Sequence, residues 1–482
     1  MHMDKKDFIG REQEVDIIEK YYNSSKSEMV AVYGRRRVGK TYLIKKTMGK
    51  KFDFEFVGSH KTPAKVQREQ FQNEIDKWSH STGKIPKDWF VAFSNLKDYL
   101  LSLNKKRVVV FLDELPWMDT VNSNFLSAFS YFWNTWDSAK ALLKLYVCGS
   151  ATTWMVDKLI GDQGGLYGRV SRPVYLAPFT LAETEQYLNK IKKMHYNKAQ
   201  VLDAYMIFGG IPFYLDMLDN ELPFTVNVDR LFYGSDAPLR KEYDFLFRSL
   251  FKKSVSYQKV VTLLSKKLSG LTREEISAGC KLEGGDLTTI LNNLNSCDFI
   301  RVYYCPNKKE KGKIYQLTDM FTLFHLRFVK RSNGQDKNYW TNIAGTGEVN
   351  AWAGYAFEQV CLHHIDQIKI KLGISGILSN VYAWSEKAFV DSDGTKWKGG
   401  QIDLIIDRSD KVMNLCEMKF AQDEYTITGK YSDTIRERTS LFKKQMNTKK
   451  ALRCTFVTTY GVKENSYSDI VDNQVLLEDL FR

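Results

Sequence analysis

The stretch Gly34-Arg35-Arg36-Arg37-Val38-Gly39-Lys40-Thr41 constrains this chain more than any other. It satisfies the spacing G-x-x-x-x-G-K-[ST], and its surroundings are those the spacing requires: an apolar run at 29–33 before it and a helical pattern at 42–48 after it. Strand, glycine loop and helix in that order form a cradle for a triphosphate. The glycines let successive backbone N–H groups turn inward, and the helix N-terminus adds partial positive charge. Gly34, Arg35, Arg36, Arg37, Val38 and Gly39 are therefore expected to surround the phosphates of ATP. Lys40 should reach the β- and γ-phosphates and Thr41 should hold Mg²⁺.

A second apolar run, 107–112, ends in Asp113-Glu114. At the carboxyl end of a central strand Asp113 can join Thr41 around Mg²⁺, and Glu114 can polarise the attacking water. A third run, 143–149, ends at Ser150, which is either a reader of the γ-phosphate or a plain strand-end serine. Arg169 follows in a glycine-rich segment (Gly161, Gly164, Gly165, Gly168) and is either a γ-phosphate contact, in cis or in trans, or a surface arginine.

These motifs, with Pro178-Phe179 and Gly209-Gly210-Ile211-Pro212 in order over residues 8 to about 250, resemble the archaeal-type P-loop ATPases, AAA-like relatives of the STAND ATPases. The resemblance implies a parallel sheet, a catalytic glutamate, a helical lid and an ATP-hydrolysing domain used as a switch. The expected boundaries are 1–178 for the ATPase core and 179–250 for the lid.

Residues 252–331 hold fifteen Lys and Arg against seven Asp and Glu, much of the chain's formal net charge of +13. Helical patterns at 257–268, after Thr272 and at 286–296, then strand-like runs at 299–304 and 313–317, predict a winged helix-turn-helix over 251–330. Gly279 is expected to break the second helix. Lys308, Lys309, Lys311 and Lys313 at the wing tip suit DNA phosphates, against the alternative of a wing that binds protein or packs within the chain.

Over 345–482 a helical pattern places Glu358 among apolar residues, and two strand patterns carry Asp403 and then Glu417-Met418-Lys419. Glu417 and Lys419, two apart on a strand, share a face. Carboxylates that bind Mg²⁺ or Mn²⁺ beside a lysine suit phosphodiester cleavage, although ion pairs at a sheet edge give the same pattern. The order resembles the PD-(D/E)XK nucleases, with Ile402 in place of the usual proline. The resemblance implies an α/β nuclease-like domain in which Glu358, Asp403 and Glu417 hold metal, Lys419 assists, and the substrate is DNA or RNA.

At 482 residues and 43% hydrophobic content, several packed domains are expected. Seven scattered cysteines without C-x-x-C spacing suggest reduced thiols, and seven histidines show no zinc pattern. No uninterrupted apolar span and no signal-like start point to a cytoplasmic protein without a membrane partner, with homo-oligomer formation left open. The expectation as a whole is an ATP-controlled nuclease, or else a nucleotide-dependent switch that binds DNA or protein through a non-catalytic C-terminal domain.

Overall fold

A computed structural model describes residues 8–136, 141–161, 164–304, 313–332, 334–391 and 394–482. The first sheet contains β1 (Glu28–Tyr33), β2 (Phe54–Val57), β3 (Arg107–Asp113), β4 (Leu142–Gly149) and β5 (Arg172–Tyr175), all parallel, in the order β2-β3-β4-β1-β5. Because side chains alternate along a strand, β3 serves two cores at once. Val108, Val110 and Leu112 join one, and Val109 and Phe111 join the other, every one nearly inaccessible to water. Such burial is worth about 1.5–3 kcal/mol per side chain, which fixes where the ends of β1, β3 and β4 must lie.

The lid is helical. Two capping boxes, Thr180 with Glu183 and Asn197 with Gln200, start its first helices, Leu181–Gln186 and Lys198–Phe208. Gly209 and Gly210 end the second, both at left-handed φ. A Cβ at Gly210 would lie 2.2 Å from the Phe179 carbonyl oxygen, so only glycine allows the backbone to approach residue 179 this closely.

Next come the helices Ser254–Leu264, Arg273–Cys280 and Gly284–Ser296, with a small antiparallel sheet of β6 (Leu271–Thr272), β7 (Ile300–Tyr304) and β8 (Lys313–Leu317), ordered β6-β8-β7. Thr272 and Glu275 cap each other as the sequence suggests. Gly279 does not break its helix. It lets Leu263 pack against the backbone, where a Cβ would meet Leu263 at 2.6 Å, and the helix stops at Lys281, whose φ is +54°. Lys308, Lys309 and Lys311 lie outside the described residues.

An aromatic cluster of Phe232, Phe324, Phe328, Trp340 and Trp352 joins the helix Phe224–Phe232 to the C-terminal half. There β9 (Ser379–Glu386), a short hairpin of β10 (Phe389–Val390) and β11 (Lys396–Trp397), β12 (Gly400–Arg408), β13 (Val412–Lys419), β14 (Ala451–Thr458) and β15 (Asn473–Leu476) follow in turn. The main sheet is ordered β15-β14-β13-β12-β9, antiparallel from β9 to β13 and parallel beyond. The helix Gly347–His363 covers one face through Phe357, Val360 and Cys361. The helix Gly429–Gln445 covers the other through Leu441 and Phe442. No helix among the described residues is long and apolar enough to cross a membrane.

Candidate functional site

The N-terminal site forms where β1, β3 and β4 end. Gly34 has φ +139°, and a Cβ there would meet the Leu176 carbonyl oxygen at 2.4 Å. Gly39, at φ +92°, precedes the helix Lys40–Met48. The Lys40 amine is buried and donates to the carbonyl oxygens of Gly34 (3.0 Å) and Arg35 (2.8 Å). Burial lowers its pKa, against the pull of Glu114, Cys148 and Asp113. Thr41 Oγ1 donates to Asp113 Oδ2 at 2.8 Å. The hydroxyl, carboxylate and amine that a nucleotide with its metal requires thus lie together beside a cavity of about 630 Å³. Val38, Gly39, Lys40, Thr41 and Glu114 line it, and Phe8, Phe179, Tyr187 and Phe213 supply an apolar end suited to a base.

β4 lies between β1 and β3, which brings Ser150 to Glu114. Its backbone N–H (3.1 Å) and Oγ (2.9 Å) both donate to Glu114 Oε2, so Ser150 holds the glutamate instead of reaching into the phosphate space. Glu114 itself sits at φ +46°, the left-handed conformation that turns its side chain out of the strand. Cys148, overlooked in the sequence, donates its thiol to Asp113; burial, then the Asp113 charge, pushes its pKa well up and keeps the proton in place.

The three arginines of the loop diverge. Arg36 and Arg37 line the cavity, whereas the Arg35 guanidinium is withdrawn from it and buried against Asp319. Arg37 donates to Glu242 Oε2 at 2.8 Å and lies over the Phe213 ring at 3.7 Å. Tyr214 donates to the other Glu242 oxygen at 3.2 Å. Glu242 and Asp319 are 205 and 284 residues beyond their partners, and no local pattern announces them. Arg169 is exposed on a turn and does not line the cavity.

The C-terminal carboxylates gather where helix Gly347–His363 crosses the ends of β12 and β13. The pairing of β12 with β9 shifts between Ile402 and Ile405, and this irregularity re-aims Asp403. Burial, then the charge of Asp403, pushes Glu358 up to about 8; burial, then Glu417, raises Asp403. Lys419 Nζ lies 3.8 Å from Glu417 Oε2. The sequence did not mark the groups that hold this cluster. Arg438 donates to Glu417 Oε1 and, at 2.7 Å, to the Gln401 carbonyl oxygen; Tyr431 donates to Glu417 Oε2 at 2.7 Å; Gln401 donates to Asp403 at 3.1 Å. Arg301 of β7, anchored on Gln316 Oε1 (2.7 Å from Nε), stands in the field of Asp403 and Glu358. Glu358, Asp403 and Glu417, expected from the sequence as metal ligands, lie near one another but are engaged by protein groups. Among the described residues no three acidic, His or Cys side chains are arranged to hold one ion, and guanidinium and phenol occupy the oxygens of Glu417.

Lys313, at the start of β8, lies 5.3 Å from the ring of Tyr304.

The parallel sheet, the glycine loop and the Lys40–Thr41–Asp113–Glu114 constellation define a P-loop ATPase domain. Residues 8–218 match the family described as an ATPase domain predominantly from Archaea. Over 356 residues the chain is 25% identical to an uncharacterized protein of Methanocaldococcus jannaschii, spanning 73% of this chain and 76% of that one. An uncharacterized ATP-binding protein of the same organism is 46% identical over 44 residues, 9% of this chain and 75% of its own. Similar solved structures include the Walker-type ATPase of Pyrococcus abyssi, with 18% identity, coverage of 67% of this chain and 97% of that one, and a TM-score of 0.47. The Aeropyrum pernix ORC2 protein gives 12% identity, 66% and 92% coverage, and a TM-score of 0.42.

Proposed function

We propose that the chain is an ATP-hydrolysing switch whose nucleotide state governs a C-terminal nuclease-like site acting on DNA. The hydrolytic half rests on Lys40, Thr41, Asp113 and Glu114 meeting at one cavity. Mg²⁺, held by Thr41 and Asp113, would neutralise charge on the phosphate oxygens. Lys40 exchanges its two loop carbonyls for the β- and γ-phosphates. Glu114 orients a water whose oxygen bonds to the γ-phosphorus as the bond to the β,γ-bridging oxygen breaks, and its carboxylate takes up the water's proton. Ser150 sets the direction of that carboxylate.

The nuclease half is carried by one observation: a helix and two adjacent strands bring half-buried Glu358, Asp403 and Lys419 together with buried Glu417. Glu358, Asp403 and Glu417 supply oxygen donors of the kind Mg²⁺ or Mn²⁺ takes; a metal held there, after these side chains rearrange and Arg438 and Tyr431 release Glu417, would supply an activated water and charge stabilisation. Helices 254–296 and strands β6 to β8 fit a winged helix, whose wing lysines would grip DNA. Against cleavage stands the Arg438–Glu417 pair. It favours the second reading, in which the C-terminal domain is a non-catalytic platform for DNA or protein.

The test compares the wild type with Lys419→Ala on plasmid and single-stranded DNA, with Mg²⁺ or Mn²⁺, with and without ATP. Metal-dependent cutting that responds to ATP and disappears in the variant supports the nuclease reading. ATP turnover without cutting by either protein selects the platform.

A further inference from the structure

A second cavity, of about 340 Å³, adjoins the nucleotide site and shares Arg36 and Arg37 with it. Its remaining wall comes from the loop after β2, from the turn after Glu114 and from helix Glu242–Leu250. No carboxylate lines it. Arg37 is engaged by Glu242, but among the described residues Arg36, Lys61 and Arg248 have no acidic partner. Aromatic surface lies among these cations. Trp117 carries the Arg36 guanidinium at 5.8 Å and the His60 ring at 5.1 Å, and Phe245 is 55% exposed at the rim. His60 registers the local field: its pKa is lowered by burial, then by Lys61 and Arg36.

The cavity is built and not merely a meeting of surface lysines. Gln67, fully buried, accepts from the Ser59 N–H (3.2 Å) and donates to the carbonyl oxygens of Thr62 (3.1 Å) and Trp117 (2.9 Å), which clamps the loop carrying His60 and Lys61 to the turn carrying Trp117. Gly58 allows this approach, since a Cβ there would meet the Glu114 carbonyl oxygen at 2.6 Å. Lys61 is held at φ +55°. A rigid concavity with cations outside any ion pair, the half-buried ring of Trp117 and the exposed ring of Phe245 matches a chain of phosphates bearing unpaired bases. An acidic peptide would leave the rings without use.

We infer that this cavity binds single-stranded nucleic acid, with Arg36, Lys61 and Arg248 on phosphates and Trp117 and Phe245 under bases. None of the residues of the carboxylate cluster lines this cavity, so the inference stands whether or not the chain cleaves DNA.

The experiment is fluorescence anisotropy of the full chain with a labelled oligothymidylate, or its uridylate counterpart, of about 20 nucleotides across a salt series. The proteins are the wild type, Lys61→Ser/Arg248→Ser, Phe245→Ala, and a variant with Lys308, Lys309, Lys311 and Lys313 changed to Ser. The substituted cavity residues are exposed and do not line the nucleotide cavity, so melting temperature and ATP affinity should match the wild type. The inference expects roughly tenfold weaker binding for Lys61→Ser/Arg248→Ser, with a salt slope shallower by about 1.4, and severalfold weaker binding with an unchanged slope for Phe245→Ala. It is overturned if these variants bind as the wild type does while the wing variant loses affinity, if no oligonucleotide binds, or if polyglutamate displaces the probe as well as unlabelled oligonucleotide does.

Discussion

Lys40 and Arg438 each neutralise acidic groups in a cleft, but they are held in different ways. Lys40 rests on two backbone carbonyl oxygens beside an open cavity, and Asp113 and Glu114 are kept in place by Thr41, Cys148 and Ser150. Its hydrogen bonds can be exchanged for phosphate oxygens at little cost. Arg438 sits directly on Glu417, whose side chain is 3% exposed, and Glu358 nearby is pushed up to about 8. The first site is arranged around a space for a ligand. The second has filled that space with its own guanidinium, and a metal could enter only by displacing it. Carboxylates beside a cation therefore yield a receptive site in one half of the chain and a latched one in the other.

The largest expected effect tests the receptive site. Lys40→Ala should abolish measurable binding of a fluorescent ATP analogue, with turnover lost by a factor of at least about 100. Retained affinity would show that the amine is not the phosphate ligand. Glu114→Gln should lower turnover by about 100- to 1,000-fold while nucleotide affinity stays within a fewfold of wild type, measured by single-turnover hydrolysis and titration. Loss of both together would make Glu114 a structural residue.

The latch is tested by Arg438→Ala. Removing one partner of a largely buried pair should cost about 3 kcal/mol, read by denaturant unfolding, and Mn²⁺ should restore much of it by taking the vacated place. Destabilisation that no divalent ion relieves would end the comparison, because the guanidinium would then be structural and not a stand-in.

The smallest effect concerns the joint between the halves. His364 accepts from the Leu181 N–H (2.9 Å) and pairs with the Val360 carbonyl oxygen (2.7 Å), and burial lowers its pKa to about 4. The folded state holds it neutral while the unfolded chain protonates near its ordinary value. Its stability contribution is complete above about pH 6.5 and is lost as pH falls towards 4. Melting temperature should drop over that window in the wild type and drop less steeply in His364→Gln. Equal slopes would remove His364 from the joint.

The nucleotide site was legible because its chemistry lies in local spacing: Gly34 to Thr41 is one loop, and Asp113-Glu114 ends one strand. β1, β3 and β4 and the helices around Thr272 followed from periodicity to within a few residues at their ends, whereas β5, β10, β11 and β15 were not anticipated. What stayed hidden depends on distant partners. Nothing near Arg35 indicates Asp319, and nothing near Glu417 indicates Arg438, which is one basic residue among several on an amphipathic helix. β9 was also missed. Its burial alternates imperfectly, and its pairing with β12 carries the irregularity that aims Asp403. Gly279 misled for a related reason: a glycine that admits a neighbouring leucine reads locally like one that ends a helix.

The Arg35–Asp319 pair joins the loop that wraps the phosphates to the N-cap of helix Met320–Phe324, where Asp319 also accepts from the Thr322 N–H at 2.8 Å. Separating the two would strand a buried charge at a cost of roughly 3–5 kcal/mol. The phosphate loop is thus a fulcrum as well as a cradle. A substitution at Asp319, in the second half of the chain, would therefore be felt first at the phosphate loop.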